Sequence, residues 1–129
     1  MNRYDAVATI GWLLLVLGWW FRRDRARHLT FVIPGMAVDL ALVLWLEFTR
    51  SVIERTVDTQ HHYSLLERIH IGTSTAAVVL YIPTIWLGIL LIRRRGGPAV
   101  RAWHQRCAIP ALVLRTIGFA FMWAVTGRP

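Results

Sequence analysis

The sequence predicts an all-α fold: a four-helix transmembrane bundle of up-down topology, made of two pseudo-repeated hairpins. Three observations lead there. The 129 residues are 56% hydrophobic with a mean hydropathy of +0.47, too apolar for a soluble domain of this size. The apolar residues fall into four runs, at about 4–21, 28–48, 69–92 and 107–125, each near the ~20 residues that cross a bilayer. Finally, "RARHLTFVIP" (25–34) returns as "RAWHQRCAIP" (101–110), with Arg, Ala, His, Ile and Pro in the same places 76 residues on.

The four runs make one integral membrane domain over residues 1–129. The first lacks a basic start and a small-x-small cleavage site, and it ends in "WWFRRDR". It therefore reads as a retained helix with Trp19 and Trp20 at the interface, not as a signal peptide. The other runs contain Pro34, Pro83 and Pro110, which membrane helices tolerate when neighbours satisfy the freed carbonyls. In the third, "GTSTAA" (72–77) sets small residues four apart, a pattern that lets helices approach closely.

Charge sets the expected orientation. The net charge is +8 and there is no Lys. Arg22, Arg23, Arg25 and Arg27 fill the first loop; Arg93, Arg94, Arg95, Arg101 and Arg106 fill the third. The middle loop mixes both signs. Arginine at the ends of apolar runs is a topology signal and argues against nucleic acid as a partner. The expectation is an inner (plasma) membrane protein with loops one and three cytoplasmic and both termini outside. Cys107 is the one cysteine, which excludes an internal disulfide and any CxxC motif.

The repeat places His28 and His104 at equal depth on parallel helices. Eleven residues after each comes a lone charge, Asp39 and Arg115. Eleven residues are about three turns, a rise of ~16.5 Å, so each charge shares a face with its histidine and lies near the bilayer midplane. A central charge costs roughly 2.5–3.5 kcal/mol on insertion scales and is usually paired. Asp39–Arg115 is the expected intramembrane ion pair, clamping the second helix to the fourth. His28 and His104 would then face each other, as two imidazoles that ligate haem b do. Arg25 and Arg101, beside them, would meet the propionates. The plainer alternative has each histidine snorkelling at the interface.

A second group, His61, His62 and His70, lies towards the other face. His62 and His70 share a helical face, and His70 is level with Glu47. A second haem or copper there is one reading; a solvated turn and a His70–Glu47 hydrogen bond is the other. Cys107, three residues after His104, could join it on copper or fill apolar space. No P-loop, GxGxxG, HExxH or GxSxG motif occurs, so no enzymatic activity is expected.

A His opening each of helices two, three ("LLERIHIGTS") and four ("HQRCAIPALVLRTIG") resembles the domain of unknown function 420 family of small four-helix membrane proteins. The resemblance covers roughly His28 to Gly118. It implies His28, His70 and His104 as ligands, with His62 beside them, and a haem-related accessory or assembly role for a haem–copper oxidase. The chain differs from that family in its intramembrane Asp39 and Arg115. Two functional classes follow: a haem-binding accessory protein or small b-type cytochrome, partnered by lipid and a larger respiratory membrane complex, or a cofactor-free structural subunit of such a complex.

Overall fold

The computed structural model describes residues 3–50 and 64–126, and these are helical throughout apart from short turns and caps. The helices are α1 (Arg3–Trp20), α2 (Arg25–Arg50), α3 (Leu65–Ile92) and α4 (Pro98–Thr126). Short turns make antiparallel hairpins of α1 with α2 and of α3 with α4. Three helices are long and apolar enough to cross a membrane: Arg25–Leu46, Leu65–Ile92 and Pro98–Ala124. The first helix falls short of that measure. Its 18 residues include Arg3 and Asp5, so its apolar stretch is shorter than the expectation of four spans required.

Helix starts come earlier than the apolar runs suggest, because polar caps add turns to them. Asp24 caps α2, its Oδ1 accepting the Arg27 N–H at 3.3 Å. At α3, Ser64 and Glu67 form a reciprocal capping box, with bonds of 2.9 and 3.3 Å. The fourth helix begins at Pro98, nine residues before the expected 107. Proline suits a first turn, whose N–H has no partner in any case. Arg101 and Arg106 are therefore helical, and His104 lies in the second turn of α4.

Each hairpin packs along its length, whereas the seam between hairpins is thin. Its most continuous part is α1 against α4. There the Trp12 indole N–H donates to Thr116 Oγ1 at 3.0 Å. The Trp12 ring also stacks on Phe119 at 4.6 Å. The buried core is small, built on Leu15, Tyr81 and Ala111 with Met36, Leu40 and Leu112 against it. Large apolar side chains such as Ile82, Trp86 and Trp45 point outward, a surface matched to lipid tails and not to water.

The repeat runs deeper than the sequence reveals. The second helix maps onto the fourth at an offset of 76, with Gly35 and Asp39 buried in one and Ala111 and Arg115 in the other. The first maps onto the third at an offset of 66, with Gly11, Leu15 and Gly18 answering Ala77, Tyr81 and Thr84, all buried. Gly11 must be small: a Cβ there would come within 2.8 Å of Asp39 Oδ1, so its absence lets α1 close over the carboxylate.

Candidate functional site

At the centre of the bundle α2, α3 and α4 contribute one polar group each. Asp39 and Arg115 form the expected pair, and it is bidentate. Arg115 Nε donates to Asp39 Oδ2 at 2.7 Å and Nη2 to Oδ1 at 3.0 Å. Only 3% of the Asp39 side chain and 8% of the Arg115 side chain is exposed. Tyr81 was not anticipated. Its hydroxyl donates to Asp39 Oδ2 at 2.7 Å, so the carboxylate accepts three hydrogen bonds and the charge is fully answered. The sequence signal was available: a tyrosine midway along an apolar run, far from the interfaces where tyrosine usually sits.

Towards the two short turns the site becomes a cavity of about 70 Å³ lined by all four helices. Its lining obeys the repeat: His28 with His104, Val32 with Ala108, Met36 with Leu112, Leu15 with Tyr81. The cavity thus lies where the two hairpins meet, with equivalent residues on either side. Both histidines are partly buried and make the same bond. His28 Nδ1 is 2.7 Å from the Gly18 carbonyl oxygen, and His104 Nδ1 is 3.1 Å from that of Thr84. Gly18 and Thr84 are themselves equivalent positions on α1 and α3. A carbonyl only accepts, so each ring carries its proton on Nδ1. In the neutral form of such a ring Nε2 keeps its lone pair, the arrangement usual for imidazoles that bind metals.

The fit to haem divides. The donor set suits an iron held by two imidazoles, and the remaining lining is apolar. The volume does not suit a porphyrin, because cofactor pockets run to ~300–1,000 Å³. Arg25 and Arg101 do not line this cavity. Arg25 Nη2 donates instead to the carbonyls of Leu91 and Ile92 at 3.4 and 2.7 Å, tying the first turn to the end of α3. Arg101 borders a separate groove beside the second turn. The expected propionate partners are therefore placed elsewhere in this conformation.

The remaining candidates do not join the pair. His70 Nδ1 is 2.7 Å from the Gly118 carbonyl oxygen. It stands fourteen residues before Thr84, ~21 Å along the helix, so His70 lies apart from His28 and His104, on the side where a separate outer site is expected. His61, His62 and the Glu47 side chain lie outside the described residues. Cys107 is partly buried and does not line the cavity. Among the described residues no three His, Cys, Asp or Glu side chains gather as a metal site would require. No protein-family model, curated protein or solved structure matches the chain.

Proposed function

We propose that this is a small multi-pass membrane protein that takes haem between His28 and His104 and serves respiratory electron transfer as an accessory or assembly factor. The observation that carries the reading is one hydrogen bond made twice. At equivalent positions a histidine holds Nδ1 against a carbonyl on the other helix of its own hairpin, and both imidazoles line one shared cavity. Bound haem would supply a redox-active iron; the chain would supply two ligands and an apolar surround that slows loss of the group to water. The macrocycle needs more room than the cavity of about 70 Å³ offers, so binding requires the hairpins to part at the turn end. Parting them there breaks the Arg25 bonds to the Leu91 and Ile92 carbonyls and leaves the more extensive packing within each hairpin intact.

The arginine excess at the turns supports a cytoplasmic turn end and, if α1 also crosses, outward termini. The resemblance of the three histidine-opened helices to the domain of unknown function 420 family supports the oxidase connection. A second reading is favoured by the cavity's size: the histidines act only as interhelix hydrogen bonds, and the chain is a cofactor-free subunit of a larger complex. Haem titration of the purified protein in detergent separates the two. The proposal expects saturation at one haem per chain with the sharp bands of a low-spin species. A featureless, non-saturating titration supports the structural subunit.

A further inference from the structure

The arginines gather at one end of the bundle. Arg22, Arg23, Arg25, Arg27, Arg93, Arg94, Arg95, Arg101 and Arg106 all lie at or beside the two turns, and all are exposed. The one acidic residue among them, Asp24, is already bridged to Arg27 at 3.5 Å. Several guanidinium groups rest on aromatic rings, Arg22 on Trp19 at 4.3 Å and Arg106 on Trp103 at 5.1 Å. Such stacking holds them at the level where exposed tryptophans meet lipid headgroups.

Topology alone would be served by any placement of positive charge, but one of these arginines sits where the backbone disfavours it. The third helix ends in a Schellman motif: the Arg95 N–H bonds the Leu90 carbonyl at 2.8 Å and the Arg94 N–H that of Leu91 at 3.1 Å. The motif requires a left-handed residue at Arg94, and its φ is +54°. Glycine ordinarily fills that position, because a Cβ there crowds the following carbonyl. The next two residues are glycines, and one of them, Gly96, also has positive φ. Arg94 thus holds a guanidinium at a backbone position that glycine would fill with less strain. The turn borders a groove of about 480 Å³, floored by Gly96, Gly97 and Pro98 and walled by Leu91, Arg101 and Gln105, large enough for a lipid headgroup.

We infer that this arginine end is a binding surface for anionic glycerophospholipid, the headgroup phosphate meeting Arg101 in the groove while Arg94, on the adjoining turn, adds to the positive field. Guanidinium is suited to this task because its planar fork grips phosphate oxygens in pairs, which accords with a chain that has no lysine. Leu91 at the groove wall offers an apolar contact for the glycerol and upper acyl chain. The surface is separate from the histidine cavity and needs no haem.

The test uses haem-free full-length protein in mixed phosphatidylcholine and phosphatidylglycerol nanodiscs, extracted and weighed by native mass spectrometry for retained lipid. Wild type should retain phosphatidylglycerol in preference to phosphatidylcholine. Arg101→Gln and Arg94→Gly should each reduce that preference, by about fivefold per arginine near a charged surface. Arg94→Gly relieves backbone strain, so its thermal midpoint should equal or exceed wild type while lipid preference falls. A merely structural role cannot produce that combination. Arg3→Gln, on the N-terminal turn of α1, should change nothing. Equal retention of both lipids by wild type, or unchanged preference in both variants, overturns the inference. Displacement of the lipid by excess inorganic phosphate does so as well, since it would reveal a free-anion site.

Discussion

The two hairpins follow one plan and depart from it at chosen places. At the turn end they agree: His28 on Gly18 and His104 on Thr84 are the same contact in the same register. At the centre they disagree. The position that holds Asp39 in the first hairpin holds Arg115 in the second, and Leu15 in the first becomes Tyr81 in the second. Agreement gives two like groups around one cavity, which suits a ligand that needs two equal donors. Disagreement gives opposite charges across the seam, which suits recognition of one hairpin by the other. A strictly symmetric pair would place like charges together and would not associate.

The largest expected effect comes from breaking the disagreement. Asp39→Asn or Arg115→Gln leaves a buried charge without its partner and should cost about 3–5 kcal/mol. The double variant removes both charges and should recover part of that loss. Unfolding in mixed detergent measures all three. A double variant no more stable than the worse single one would end the claim that the pair acts as a unit.

Tyr81→Phe sharpens the same contrast, because it makes the second hairpin more like the first. It removes one hydrogen bond to a charged acceptor and should cost about 1.5–3 kcal/mol, leaving the ion pair in place. A loss as large as that of Arg115→Gln would mean that Tyr81 carries as much of the carboxylate's stabilisation as the arginine does.

The smallest effect belongs to the positions that agree. Without haem, His28→Ala and His104→Ala each remove one interhelix hydrogen bond, worth about 0.6 kcal/mol in membrane proteins. The two losses should match, as read by the same unfolding measurement. A difference above ~1.5 kcal/mol, near the upper end of such bonds, would show that the two hairpins are not equivalent at the turn end.

These contrasts explain what the sequence made legible. Lone charges in apolar runs are conspicuous, so Asp39 and Arg115 could be paired from spacing alone. Identical letters at an offset of 76 exposed the likeness of α2 and α4. The likeness of α1 and α3 stayed hidden because it is written in size. Gly11 with Ala77 and Gly18 with Thr84 share small bulk, which the packing reads and residue identity does not. The start of α4 is hidden for a different reason. Arginine, alanine and glutamine are good helix formers, but a span inferred from apolar residues ends where they begin. The bonds of Arg25 are not legible in the sequence, because its carbonyl partners on α3 are 66 and 67 residues away, beyond any local pattern.

The central claim is that His28 and His104 act together on one iron, and electron paramagnetic resonance of the haem-loaded protein tests it most directly. The account predicts a low-spin ferric signal in wild type, lost with equal completeness in His28→Ala and in His104→Ala, and retained in His61→Ala. A low-spin signal that survives both single substitutions, or a wild-type protein that takes up no haem, would contradict it.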